Sequence, residues 1–137
     1  MTELVLDNGQ GCAERARRFV RGCLEQNHVP DPDAYDILVA VNEAVANAHT
    51  HLTEVGGEGR IVVQCLCRAT TFEVVVSDCG RGFDYQADHP TAPHPMSSSG
   101  RGLFLMNELM DEVDIDPTPS GTTVRMRRRV ERNLVEH

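Results

Sequence analysis

Apolar residues at three- and four-residue spacing predict two long helices in the first third of the chain. The first pattern covers Ala13 to Leu24, and four arginines occupy positions between its apolar residues. The second opens at residues 31–33, where an aspartate N-cap, a proline and a further aspartate favour helix initiation. Its apolar stripe runs from Ile37 to Leu52, and glycines 56 and 57 end it.

Alternation of apolar and polar residues predicts five strands. They cover Glu3 to Asp7, Arg60 to Arg68, Phe72 to Asp78, Glu112 to Asp116 and Thr122 to Val130. Short turns join the second strand to the third and the fourth to the fifth, which favours antiparallel hairpins. A third helix is predicted after Gly102, and the proline-rich residues 84–99 before it indicate a long loop of the kind that forms lids.

This order of elements predicts an α+β fold. We expect a two-layer α/β sandwich with a mixed, mostly antiparallel sheet and helices on one face. The 137 residues suit one domain spanning 1–137, without an internal repeat or a recognisable linker.

Charge and cysteine content limit the classes of partner. With 13 basic and 21 acidic residues the formal charge is −8, which disfavours direct binding of nucleic acid or of an anionic membrane. No apolar run is long enough to span a bilayer. Five cysteines outside any disulfide framework are typical of a reducing compartment, so we expect a cytoplasmic protein with protein or small-molecule partners.

Two alternatives carry less weight. Cys65 and Cys67 could join His49 and His51 around zinc, but this spacing matches no common zinc site. A DNA-binding surface could use the arginines near the end of the chain, although alternation along the last strand places three of them on a solvated face. The five candidate arginines are Arg125, Arg127, Arg128, Arg129 and Arg132, and the three on the solvated face are Arg125, Arg127 and Arg129.

One row of the second predicted helix carries groups suited to chemistry. Glu43, Asn47 and His51 are each four residues apart and therefore share a face. A carboxylate can accept a proton from an attacking hydroxyl, and an amide oxygen is a hard ligand that suits Mg²⁺. An ordinary polar flank is the alternative for this row.

Two glycine-containing segments also carry groups suited to chemistry. Asp78 ends the apolar face of its strand and precedes Gly80 and Gly82, so a carboxylate that can accept a hydrogen bond from an adenine amine lies beside a permissive turn. Gly100-Arg101-Gly102 opens a helix, whose free amides and positive dipole end suit phosphate. A ligand-free turn remains the alternative for the first segment. No P-loop motif is present, and the third glycine of a dinucleotide-binding fingerprint is missing.

Together these segments resemble the GHKL ATPases, which include histidine-kinase catalytic domains, gyrase and Hsp-type chaperones. Within that superfamily the chain is most similar to the small bacterial anti-sigma-factor serine/threonine kinases, which have the Bergerat-type ATP-binding fold. The matching segments are residues 42–51, 78–84, 100–106, 109–113 and 121–124. The chain departs from the family at His49 and Thr50 and in its proline-rich lid.

The resemblance implies a role for each site residue. It makes Glu43 the general base and Asn47 the Mg²⁺ ligand, and it gives the adenine amine to Asp78 with help from Thr122. Further contacts would come from the glycine segments, with the base beside Gly80 and Gly82 and the phosphates beside Gly100, Arg101, Gly102 and the amide of Leu103.

The function that the resemblance implies is an ATP- and Mg²⁺-dependent kinase that is also an anti-sigma factor. Such a protein sequesters a sigma factor and phosphorylates a STAS-type anti-anti-sigma partner, and family members often form homodimers. The alternative is a non-catalytic, nucleotide-gated module that binds its partner without transferring phosphate.

Overall fold

The structure, a computed structural model, describes residues 2–9, 11–54, 56, 59–80, 100–118 and 121–131. These residues form three helices and five strands. In chain order they are β1 (Thr2–Asp7), α1 (Cys12–Gln26), α2 (Asp31–Glu54), β2 (Gly59–Arg68), β3 (Thr71–Gly80), α3 (Gly100–Leu109), β4 (Glu112–Thr118) and β5 (Gly121–Arg129). None of the helices described is long and apolar enough to cross a membrane.

The five strands form one open sheet in the order β1-β2-β3-β5-β4. Every neighbouring pair is antiparallel. Burial on the two faces of β2 differs as expected for a sheet covered on one side: Ile61, Val63 and Cys65 are buried, whereas the intervening Val62 and Gln64 are only partly so. The predicted α+β sandwich is therefore confirmed, but the described sheet is wholly antiparallel and not mixed as predicted, because no pair of neighbouring strands runs parallel.

Helix α2 lies at the centre of the helical layer, where it packs against α1, α3 and the strands β2, β3 and β5. Its apolar stripe is almost wholly excluded from solvent, from Ile37 at 0% exposure to Leu52 at 0%. The inward residues of β3, including Phe72 and Val76, are buried in the same core. This packing fixes which side chains of α2 face the sheet.

Two element boundaries differ slightly from the predicted ones. Asp31 lies inside the first turn of α2, because the amide of Ala34 donates to the carbonyl of Pro30 at 2.9 Å, so the predicted N-cap is one residue late. The β2–β3 turn contains two residues, Ala69 and Thr70, and Ala69 adopts a φ of 49°. Neither difference changes the face on which Asp78 lies.

A partly buried arginine joins three elements, β5, α2 and α3, at one end of α2. Arg128 continues the inward face of β5 and donates to Asp33 at 2.7 Å and to Asp36 at 2.8 Å, both on the first two turns of α2. It also donates to the carbonyl of Leu109, at the end of α3, at 2.8 Å. Although burial acts in the opposite direction, the hydrogen bonds to the two aspartates raise the pKa of Arg128. Arg128, which the DNA-binding alternative includes, therefore belongs to the packing between the sheet and the helices.

Candidate functional site

A small cavity opens beneath the second half of α2, at the end of the sheet opposite Arg128. The enclosed volume is about 10 Å³, and the space reaches about 220 Å³ when the region open to solvent is included. The lining residues come from α2, β3 and β5: Ala44, Asn47, Ala48, Val76, Asp78, Thr122 and Val124. Three of the predicted site residues, Asn47, Asp78 and Thr122, are therefore brought together here from distant parts of the sequence.

Asp78 supplies the charge of this cavity. It is 7% exposed, and its Oδ1 accepts hydrogen bonds from the Thr122 amide at 3.3 Å and from His51 Nδ1 at 3.1 Å. Within the part of the chain described, no residue donates to the second oxygen, Oδ2. Oδ2 is not among the fully buried atoms of the described residues that lack a partner, so it faces the open part of the cavity, where it is available to a donor that enters.

The protonation of His51 follows from its partner. Because a carboxylate oxygen only accepts, Nδ1 of His51 carries the hydrogen that is shared with Asp78. This hydrogen bond, together with the negative charges of Asp78 and Glu54, raises the pKa of the His51 imidazole above its ordinary value, while partial burial opposes the rise. The resemblance matches His51 to a histidine of the family but leaves its role open, and the folded contact with Asp78 identifies one.

Asn47 leaves a second polar group without a partner. Its Nδ2 is the one buried side-chain nitrogen or oxygen in the described residues that makes no hydrogen bond. Burying an amide without a partner costs roughly 1–3 kcal/mol. An orphaned donor on the wall of a cavity points to a ligand with acceptor atoms.

Gly121 permits the close approach of β5 to Asp78. A Cβ at this position would lie 1.8 Å from the carbonyl oxygen of Asp78 and 2.9 Å from its Oδ1. Any side chain would therefore force the strands apart and move the Thr122 amide away from the carboxylate. The sequence contains this glycine in the Gly121-Thr122-Thr123 segment, but the strand pairing is needed to show what it touches.

The other predicted site residues are not among the described residues that line the cavity. Glu43 is partly buried and stands one turn before Asn47 on α2. Helix α3 begins at Gly100 and packs against α2, and Leu103 packs against the core. The backbone of Gly80, Arg101 and Gly102 is described, but Gly82 and the predicted lid, residues 84–99, lie outside the described residues. The roles expected of these residues stay predictions.

The fold does not group the candidate ligands of the zinc alternative into one site. Cys65 faces Cys23 of α1, and the hydrogen bond between the thiols, with burial, raises the pKa of Cys65. His49 contacts Asn8 at 2.5 Å, and His51 contacts Asp78. Among the described residues, no three His, Cys, Asp or Glu side chains are grouped closely enough to hold a metal ion.

Comparisons with solved structures reproduce this fold. A Mycobacterium tuberculosis structure with RsbU and RsbW domains matches 96% of this chain and 33% of its own length, with a TM-score of 0.67 and 24% identity. This chain thus spans about a third of that protein. The Pseudomonas aeruginosa SiaB–SiaC complex matches 93% of this chain and 88% of its own, with a TM-score of 0.61 and 10% identity. At these identities the likeness concerns the fold.

Comparisons of sequence identify named relatives at higher identity than the solved structures. The serine-protein kinase RsbW of Bacillus pumilus is 34% identical over 112 residues, which cover 74% of this chain and 68% of that protein. RsbW of Bacillus subtilis is 33% identical over 110 residues, with the same coverage, and RsbW of Staphylococcus epidermidis is 32% identical over 114. Relatives with this name support the predicted ATP-dependent serine/threonine kinase activity. The histidine kinase-like ATPase domain matches residues 10–128, so the chain belongs to this ATPase family.

Proposed function

We propose that this protein is an ATP-dependent serine/threonine kinase and anti-sigma factor, formed by a single domain, that uses the cavity between α2, β3 and β5 for adenine recognition. The observation that carries the proposal is the pair of unsatisfied polar groups in that cavity. Asp78 Oδ2 offers an acceptor and Asn47 Nδ2 offers a donor, and both lie in a wall that is otherwise mostly apolar. A ring with an exocyclic amine, attached to a phosphate chain, matches both.

Adenine recognition rests on Asp78. Its carboxylate is fixed at Oδ1, so Oδ2 would accept a hydrogen bond from the exocyclic amine of adenine. Thr122 lies beside it on β5, and Val76 and Val124 would contact the ring. Gly80 and Gly82 would pass close to the base without a side chain in the way.

The phosphate end of the site would lie between α2 and the start of α3. Gly100, Arg101, Gly102 and the Leu103 amide form the first turn of α3, where free N–H groups favour anions. Asn47 fits a magnesium site, because an amide oxygen is a suitable ligand and no described residue holds Nδ2 in place against rotation of the amide. Magnesium, when bound, would neutralise charge on the phosphate oxygens.

Glu43 is placed to act as the general base. It lies one helical turn before Asn47 on the same row of α2. In the reaction its carboxylate would take the proton of the substrate hydroxyl as that oxygen forms a bond to the γ-phosphorus. The bond from the γ-phosphorus to the bridging oxygen would break, and ADP would leave.

The proposed substrate is a serine or threonine of a STAS-type anti-anti-sigma protein, and the second partner is a sigma factor. The RsbW relatives, which are named serine-protein kinases, support this choice. We place the reaction in the cytoplasm, where ATP and sigma factors are found, and none of the five cysteines forms a disulfide, which fits a reducing compartment. The kinase would form a homodimer, which light scattering can measure.

The test is transfer of labelled phosphate from Mg·ATP to purified STAS-domain proteins of the same organism. We expect one of them to gain label on a serine or threonine, identified by mass spectrometry, and to lose the label when Asp78→Asn replaces the wild type. If ATP binds tightly and no STAS protein gains label, the kinase proposal fails and the nucleotide-gated binding module takes its place. If ATP does not bind, both functions fail.

A further inference from the structure

His51 makes a contact that no role predicted for this family requires. We propose that His51 is a positioning residue for base selection: it holds the Asp78 carboxylate so that Oδ2 faces the cavity and distinguishes a 6-amino purine from a 6-oxo purine. The proposal rests on the proposed function, because it assumes that the purine of ATP occupies this cavity.

The geometry supports this role through the two donors that meet on one oxygen. Rotation about the last torsion of an aspartate is broad, so the carboxylate needs outside contacts to present a chosen oxygen. The Thr122 amide approaches Oδ1 from β5 at 3.3 Å, near the long end for a hydrogen bond. His51 Nδ1 approaches the same oxygen from α2 at 3.1 Å, so the two contacts together clamp Oδ1 and direct Oδ2 away from both elements.

Because Asp78 is buried, the orientation of its carboxylate depends on these few contacts. The Asp78 side chain is 5% exposed and that of His51 is 24% exposed, so their hydrogen bond forms in a largely buried setting. Without the imidazole, the carboxylate would be held by one long hydrogen bond and would be free to turn either oxygen toward entering water. Selection of the base would weaken although the charge of Asp78 remained.

The clamp does not depend on a single protonation state. The charged groups that face His51 are Asp78 on β3 and Glu54, one turn later on α2. Both favour the imidazolium, in which Nδ1 carries a hydrogen, and the neutral tautomer with a hydrogen on Nδ1 makes the same contact. The hydrogen bond itself is therefore the feature to remove.

Two substitutions separate the hydrogen bond from the bulk of the ring. His51→Leu removes the donor and leaves a bulky apolar side chain at this position of α2. His51→Asn keeps a donor, because the amide nitrogen of asparagine is attached to Cγ as Nδ1 is in histidine. His49→Leu is the matched control: it lies two residues away on the same helix, and its Nδ1 contacts Asn8 and not Asp78.

The measurement is the ratio of the Kd values for Mg·ATP and Mg·ITP, obtained by calorimetry with each purified protein. ITP differs from ATP in having an oxygen in place of the 6-amino group. We expect the preference of the wild type for ATP to fall about tenfold in His51→Leu, the size of one hydrogen bond to a charged group. His51→Asn should keep most of the preference, and His49→Leu should keep all of it.

The outcomes distinguish this proposal from the proposed function. A wild type that prefers ATP, with the same preference in His51→Leu, overturns the role of His51 and leaves the nucleotide site in place. A wild type that binds ATP and ITP equally overturns the adenine assignment and this proposal with it. If His51→Leu does not fold, the ring nitrogens of His51 in ¹⁵N-labelled wild type decide: an Nδ1 without a hydrogen overturns the clamp.

Discussion

Two polar clusters lie on the same face of the sheet, under opposite ends of α2, and they differ in how completely their atoms are paired. At the first end, Arg128 is satisfied by Asp33, Asp36 and the carbonyl of Leu109. At the other end, Asp78 has one oxygen without a described donor and Asn47 has an amide without a partner. Burial penalises both clusters, but only the first is complete within the described chain.

This difference indicates what each cluster is for. A paired cluster gains nothing from a ligand, and its contacts join α2, α3 and β5. An unpaired cluster beside a cavity is stabilised when a ligand supplies the missing partners. Changes at the Asp78 end should therefore alter nucleotide binding or transfer, and changes at the Arg128 end should alter stability.

The largest effect is expected at Glu43, which stands on α2 between the two clusters. Glu43→Gln removes the proposed base and keeps the size of the side chain. The rate of phosphate transfer should fall by about 10²- to 10⁴-fold, the usual contribution of a general base. The Kd for Mg·ATP should stay within about twofold, because base catalysis acts in the transition state. Transfer at the wild-type rate would remove Glu43 from this role.

Asp78→Asn should have the next largest effect. It exchanges a charged acceptor for an amide, and the loss of a hydrogen bond to a charged group should weaken ATP binding by about 10- to 100-fold. Calorimetric titration measures this change. Arg128→Ala is the control at the complete cluster, and its folded form should bind ATP as the wild type does. Equal losses of affinity in both variants would contradict the division between the clusters.

Gly121→Ala should disturb the incomplete cluster of Asp78 and Asn47 by moving the backbone of β5 away from Asp78. The added Cβ would meet the Asp78 carbonyl oxygen at 1.8 Å, and relieving this contact should cost about 1–3 kcal/mol of unfolding free energy as well as ATP affinity. Gly22→Ala is the matched control, since a Cβ there meets nothing within 4 Å and Gly22 lies inside α1. It should stabilise the protein by about 0.5–1 kcal/mol. Urea unfolding of both variants compares them.

Arg128→Ala should lower the unfolding free energy by about 1–2 kcal/mol, because it leaves Asp33 and Asp36 without their partner in a partly buried setting. Arg125→Ala, on the same strand, is the matched control. Arg125 is half exposed on the other face and lies 3.9 Å from Glu73, so its removal should change stability by less than about 0.5 kcal/mol. Equal unfolding midpoints for the two variants would show that the Arg128 cluster contributes no more than a surface pair.

The smallest effect concerns pH. The pKa of His51 is raised in the folded protein, so the additional stabilisation from its positive charge beside Asp78 is fully present below the ordinary histidine pKa of 6.5 and is lost as pH rises through the raised value, while the hydrogen bond from the neutral tautomer remains. The stability advantage of wild type over His51→Asn should therefore be larger at about pH 6 than at about pH 8.5. Urea unfolding at both values gives the difference. A stability advantage of the wild type that increases with pH would contradict the interaction between His51 and Asp78.

Much of the fold and part of the site followed from the sequence, because periodicity is a local property. The stripe of α2 placed Glu43 and Asn47 in one row, and alternation along β3 put Asp78 on the buried face. Arg128 entered only the DNA-binding alternative, since nothing local reveals the aspartates that meet it across 92 and 95 residues. The contact of His51 and the crowding at Gly121 likewise depend on how α2 and β5 are set against β3.

The most direct test of the incomplete cluster is the side-chain amide signal of Asn47 in a ¹⁵N-resolved NMR spectrum, recorded with and without Mg·ATP. Asn27 is the internal reference, because its Nδ2 already donates to the Cys23 carbonyl at 2.8 Å. We predict that saturation with Mg·ATP shifts the Asn47 amide pair strongly and leaves that of Asn27 in place. An Asn47 signal that does not move while ATP is bound would contradict the assignment of this cavity to the nucleotide.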